Sequence, residues 1–299
     1  MRIHTHLTLI FLSIVSIAVH AQSQSGIDST GLPGDHFSLQ GALQMFQKAS
    51  SIEEFEKMIN TENNHVNNLD LNGDGEIDYV KVIDKSEGDA HAFILQVPVS
   101  ENENQDIAVI ELEKTGNESA MIQIIGDEDI YGEEIIVEPD GGEEEVNTKK
   151  TSGPFYELNY EYQAVRVVVN VWVWPSVRFV YGPAYRPWVS PWRWRHYPAW
   201  WKPWHPFEWR VWHPYHIAYR RSFVIVPTHR VVRAHAIYKP YHTSSVIVRT
   251  RHSTAIGNYR VTRSRTTITG PRGNNTTIRR TTVNGPRGRK TAVRKRRRG

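Results

Sequence analysis

The chain has 299 residues, 36 Lys and Arg against 32 Asp and Glu, and no cysteine. Without cysteine there is no disulfide framework and no lipid-modified cysteine anchor, so stability must come from an apolar core or from a bound metal. The formal charge of +4 hides a division: residues 1–150 carry 8 basic and 29 acidic side chains, net −21, and residues 151–299 carry 28 and 3, net +25.

Arg2 precedes an apolar run from Leu7 to Val19, and Val19-His20-Ala21 offers small residues for a signal peptidase. The run is shorter than the ~20 apolar residues that span a bilayer, so residues 1–21 are expected to be a cleaved signal peptide and Gln22 the mature start. Residues 22–35 are rich in Ser, Gly and Asp and read as a flexible lead. Helical spacing then begins. Leu39, Leu43 and Phe46 define one helix; Ile52, Phe55, Met58 and Ile59 define a second, with Ser51 and Glu54 placed as a capping box.

After Asp78 the period changes to two. Tyr79–Ile83, His91–Val99, Ile107–Glu113, Ala120–Ile125 and Glu134–Glu138 are expected strands, rich in Val and Ile and separated by short Gly, Asn and acidic connections. Short connections favour antiparallel neighbours. Residues 36–142 are therefore expected to be an acidic α+β domain, two helices on a mostly antiparallel sheet, able to fold alone.

Residues 143–153 are polar and read as a linker. In residues 154–248 the composition changes: all ten tryptophans lie between Trp172 and Trp212, interleaved with Pro, Arg and His. Proline at that density excludes a long regular helix or a central strand; Val165–Trp174 alternates as a strand. The aromatic rings suit a bilayer interface, stacking on sugars or bases, or packing over the acidic domain's own sheet. His213 and His216, one helical turn apart, read as interfacial or surface histidines. Residues 249–299 have no acid, contain the repeat Thr266-Thr-Ile-Thr-Gly-Pro-Arg-Gly273 and Thr281-Thr-Val-Asn-Gly-Pro-Arg-Gly288, and are expected to be disordered when free.

The most specific motif is Asp70-Leu-Asn72-Gly-Asp74-Gly75-Glu76-Ile77-Asp78. Calcium takes six to eight hard oxygen ligands near 2.3–2.6 Å, and a tight chain reversal supplies them from alternate residues. Asp70, Asn72 and Asp74 stand at the first, third and fifth places, Gly75 at the turn, the Glu76 carbonyl at the seventh and Asp78 at the ninth; Ile77 should enter the core. The pattern resembles the loop of EF-hands, dockerin-type modules and integrin-type repeats, except that the twelfth place is Lys81 and a strand follows. Asp127-Glu128-Asp129 is a second acidic turn that could lend a ligand. With 1 mM calcium and a dissociation constant of ~0.1 mM, such an ion adds about 1.4 kcal/mol, a staple rather than a switch.

Asn68–Tyr79, Gln105–Glu111 with Gln123–Tyr131, and Trp174–Pro183 together resemble a family of exported proteins of Bacteroidota-type bacteria. The resemblance covers most of the mature chain. It implies export and this domain order, and no activity. Nucleophile elbow, phosphate-binding glycine loop and zinc-protease motif are all missing from the sequence. The expected function is that of a non-enzymatic envelope protein, periplasmic or extracellular and peripherally membrane-associated, whose calcium-stabilised domain presents an aromatic and cationic arm to lipopolysaccharide, anionic lipid, acidic polysaccharide or extracellular DNA. The rival is self-assembly, the basic tail pairing with the acidic domain within or between chains.

Overall fold

The structure, a computed structural model, describes residues 29–148, 161–269, 275–285 and 288–298; for 143–148, 161–166, 258 and 260 onward it describes the backbone alone. The expected signal peptide, the lead as far as residue 28 and residues 149–153 of the linker lie outside the described residues. The chain is an α+β protein. Helices α1 (Leu39–Lys48) and α2 (Ile52–Ile59) precede β1 (Lys81–Glu87), β2 (Ala90–Pro98), β3 (Asn104–Gly116), β4 (Ser119–Gly126), the short α3 (Glu128–Tyr131) and β5 (Ile135–Pro139).

Ser38 and Ser51 cap the two helices, accepting from the Gly41 and Glu54 amides. Only half of the capping box forms, because the Glu54 carboxylate turns to the Ser50 amide, 2.7 Å away, and to the Ser50 hydroxyl. Strand β1 starts at Lys81, two residues later than its periodicity suggests. The Asn60 side chain occupies the backbone of Val80 instead, accepting from its N–H at 2.8 Å and donating to its carbonyl at 2.6 Å. Asn67 likewise donates to the Asp78 carbonyl, at 2.7 Å.

All ladders of the main sheet are antiparallel, in the order β1-β2-β3-β4-β5-β8, where β8 is Phe223–Val226 from the basic half. Register places Phe93, Ile110 and Ile124 side by side on the face that packs under α1 and α2. On the other face Ala92, Ile94, Val109 and Ile125 lie under α6 (Val232–Tyr238), through Tyr238 and Ile237. Helices thus cover both faces, and every residue of β2 is buried. Strand β8 stands at the sheet edge, with Pro227 directly after it.

The tryptophan-rich segment belongs to the same core as the acidic region. Val171, Trp174, Val177, Val180, Phe223 and Val248 are buried in the cluster that holds Phe46, Phe55 and Phe93. Here α4 (Pro175–Val180) packs on α1, and α5 (Trp209–Tyr219) brings in the fully buried Trp212, whose indole N–H donates to the Asp35 carbonyl at 3.0 Å. Three tryptophans are buried, 174, 201 and 212; six are half-buried; Trp200 alone is exposed. Of the uses open to these rings, packing over the acidic region is the one the structure displays.

Two local readings change. Val165–Trp174 is not one strand: β7 (Glu161–Arg166) pairs with β6 (Glu143–Thr148) and ends there. Beyond it Asn170 clamps the end of β4, accepting from the Ala120 amide and donating to the Glu118 carbonyl, which turns the chain. Helix α5 also runs on through Pro214. The chain then forms α7 (Val246–Arg251) and α8 (Ser253–Asn258). In the tail, expected to be disordered, the backbone pairs as an antiparallel meander of β9 (Arg260–Thr269), β10 (Asn275–Gly285) and β11 (Gly288–Arg298), with the two Gly-Pro-Arg-Gly copies falling in the sequence at its connections.

A core closed by residues 171–248 predicts that residues 22–142 alone will not melt cooperatively, whereas residues 22–258 will. Circular dichroism melts of the two fragments check this; a sharp transition for the shorter one refutes it.

Candidate functional site

Of the five expected metal ligands, four are tied into one hydrogen-bonded loop. The Asp70 carboxylate sits at its centre, accepting from the amides of Gly73 (2.6 Å), Asp74 (3.1 Å) and Gly75 (2.9 Å). Asn72 accepts from the Asp74 amide and Asp74 from the Glu76 amide, so alternate side chains fold inward. Asp78 closes the ring, accepting from the Leu71 amide at 2.6 Å and the Asn72 side chain at 3.1 Å. The fifth residue, Glu76, is exposed. Gly75 has φ +84°, the left-handed turn the sixth place requires, and Ile77 is buried as expected.

Residues from the basic half brace this loop. The Ile77 amide donates to the Trp204 carbonyl at 2.8 Å, and His205 Nδ1 lies 2.7 Å from the Gly75 carbonyl. The Arg251 guanidinium covers Gly73 so closely that a Cβ there would stand 2.0 Å from Nη1. Lys81, at the twelfth place, points its ammonium to Asn104. The Asp127 turn spends its oxygens elsewhere: Asp127 caps α3 and meets His242 Nε2 at 2.6 Å, and Asp129 accepts from Ser244.

The donor set is all oxygen, which fits a hard cation such as calcium. Asp78 is the strongest sign of fit. Burial, with Asp70 and Asp74 adding their charge, pushes its carboxyl up to about 8. Such a group resists ionising until a cation compensates it. The three aspartates stand farther apart than the ligands of a bound ion, for the one group of three acidic or histidine donors converging within 4.8 Å among the described residues is Glu111, His229 and His235. Beside the loop a cavity of about 300 Å³ is lined by His36, Asn68, Asp70 and His252 among others.

A second feature is the set of buried carboxylates met by the basic half. Glu56, on the buried side of α2, accepts from Tyr79 (2.8 Å) and the Val82 amide (2.9 Å), and also from Trp188 Nε1 (3.0 Å) and Ser190 (2.9 Å). Burial still holds its carboxyl above the usual range. Buried Asp84 meets His91 at 3.0 Å and accepts from Tyr185 at 2.7 Å. On the sheet face under α6, Glu138 pairs with Arg230 and Glu113 with Arg233, Asp106 accepts from Tyr238 and the Thr243 amide, and Glu111 meets His229 and His235. Burial pushes Asp106 up to about 6. His216, buried in α5, is pushed down to about 3 by desolvation, so it stays neutral rather than acting as a surface cation.

Sequence reasoning missed these partners because they lie far apart in the chain. The signal for Glu56 was present: it stands four residues from Ile52 and three from Ile59, on the apolar stripe of its helix. No helix among the described residues is long and apolar enough to cross a membrane. Comparison with protein-family models, curated proteins and solved structures finds no match.

Asp78 has a folded pKa above its unfolded value of 3.8, so without metal it costs stability increasingly as pH rises toward about 8, a cost that a calcium ion bound at the loop would remove. The calcium-dependent rise in Tm over EDTA is therefore expected to be larger at pH 8 than at pH 5, and to vanish in Asp74→Ala/Asp78→Ala. Glu56→Ala, which strands four donors, is expected to cost about 3 kcal/mol in urea unfolding. Glu56→Gln should cost less, because its amide can donate to the Tyr79 and Ser190 hydroxyls while its oxygen accepts from Trp188 and Val82.

Proposed function

We propose that this is an exported, non-catalytic binding protein of the cell envelope, in which a calcium-braced α+β body carries a polycationic C-terminal extension that holds anionic polymers such as lipopolysaccharide or acidic polysaccharide. The observation that carries the reading is the internal satisfaction of the buried acids. Glu111, Glu113, Glu138, Asp106 and Asp127 find their partners within residues 229–243. Those partners all precede the end of the chain, where residues 259–299 hold 14 Lys and Arg and no acid.

The burial of nine of the ten tryptophans, wholly or in part, moves the ligand-binding role from the aromatic segment to this extension. Trp200 is the exception, exposed with Lys57 5.5 Å above its ring, and offers one stacking surface beside a cation. A row of cations punctuated in the sequence by Gly-Pro pairs recognises charge density rather than sequence or sugar identity. Calcium at the Asp70–Asp78 loop serves stability in this scheme, not signalling.

The test is a titration of heparin and lipopolysaccharide against residues 22–299 and 22–258 at two salt concentrations. For a linear polyanion like duplex DNA, six contacts lose roughly a thousandfold in affinity between 50 and 200 mM salt. A comparably steep loss is expected for the longer chain, with the shorter one not binding. Equal affinity of the two chains refutes the proposal. Salt-reversible growth of particle size with protein concentration, in the absence of polyanion and only with the tail present, favours self-assembly instead; residues 22–258 retain 21 basic and 32 acidic side chains, net −11, for the tail to meet.

A further inference from the structure

We propose that Glu111, His229 and His235 form a second metal site, for a zinc-class divalent ion, that ties the basic half to the centre of the sheet. The three side chains come from different elements: Glu111 from β3, the third strand of six; His229 from the loop after β8; His235 from α6. One donor atom from each lies within 4.8 Å of the others. Each carboxylate oxygen already addresses one imidazole, Oε2 at 2.5 Å from His229 Nε2 and Oε1 at 2.8 Å from His235 Nδ1.

Chemistry selects the ion. Two imidazole nitrogens and one carboxylate suit zinc and its transition-metal neighbours, not calcium, which takes oxygen ligands. Three protein ligands leave a fourth position for water or a substrate group. A tetrahedral ion with bonds of about 2.0–2.2 Å needs donors roughly 3.3 Å apart, so the imidazoles must draw back from their direct 2.5 and 2.8 Å contacts with the carboxylate to admit it. They have that freedom, because their side chains are 23 % and 28 % exposed while Glu111 is fully buried.

The loop and helix that carry the histidines are held in place independently. Arg230, next to His229, donates its backbone amide to Gln123 at 2.7 Å and its guanidinium to Glu138 at 3.2 Å. Two residues before His235, the Arg233 amide donates to Glu113 at 2.6 Å, followed by the Ala234 amide at 3.1 Å. Such supports hold ligands in position for an ion. A route in is also present: His229 lines an open cleft of about 810 Å³ whose walls carry Glu128, Glu133 and Glu134, a negative approach that attracts cations.

The site is distinct from the Asp70–Asp78 loop, and the experiment separates them. The chain lacking residues 1–21 is stripped with EDTA and titrated with cobalt(II), then with zinc, following visible absorption and metal per chain. One cobalt per chain with the intense absorption of a four- or five-coordinate ion is expected, displaced by zinc and unaffected by calcium. His229→Gln and His235→Gln keep a donor for Glu111 but remove the nitrogen ligand, and should lose both the absorption and one equivalent of zinc. His213→Gln, on α5, and Asp74→Ala/Asp78→Ala should keep them. Zinc should raise the Tm of the parent and not of the two ligand variants. A parent that takes up no cobalt or zinc overturns the proposal, as does uptake that survives in both folded ligand variants.

Discussion

A carboxylate taken out of water must be given donors, and this requirement governs how the two halves of the chain meet. Removing a buried acid from solvent costs several kcal/mol unless hydrogen bonds or opposite charge replace the lost hydration. The sheet buries Asp84, Asp106, Glu111, Glu113 and Glu138, and α2 buries Glu56. The acidic region satisfies them only in part, through groups such as Tyr79, the Val82 amide, His91 and Gln96, and has few basic side chains. Residues 185–245 add tyrosine, tryptophan and serine groups on one face and arginine, histidine and backbone amides on the other.

The same constraint explains why the aromatic segment is not an open arm. Once Trp188 and Ser190 are drawn to Glu56, and Tyr185 to Asp84, the rings between Trp172 and Trp204 lie over the edge and helix side of the sheet. Tyr79 then meets Trp201 edge-on at 5.1 Å, and Lys114 sits 5.4 Å over Trp172. These contacts add dispersion and quadrupole attraction to a docking already set by hydrogen bonds. With β8 completing the sheet edge beyond β5, the join is backbone as well as side chain.

Charge is used in three different ways along the chain. In the Asp70–Asp78 loop the acids are crowded around backbone amides, and burial beside Asp70 and Asp74 raises the Asp78 carboxyl. On the face under α6 the acids are met by arginine, histidine and tyrosine side chains and by backbone amides. At the C-terminus cations accumulate without acids, the arrangement that long polyanions recognise through counterion release. A small net charge for the whole chain conceals these separate uses.

Local interactions were legible in the sequence because they repeat at short range. The 3.6-residue spacing of Leu39 to Ile59 and the alternation of the five strands depend on one face meeting an apolar partner, whatever that partner is, and they set α1, α2 and β1–β5 to within a few residues. The calcium-loop spacing was visible for the same reason, since Asp70, Asn72, Asp74 and Asp78 bond to amides at most seven residues away. Tertiary structure alone decided the rest. Glu56 could be seen on an apolar stripe, yet its donors lie 132 and 134 residues on. Glu111 meets histidines 118 and 124 residues away. Periodicity reports which side of an element is buried but carries nothing about what buries it, and a desolvated charge selects its partner only when the whole chain has closed around it.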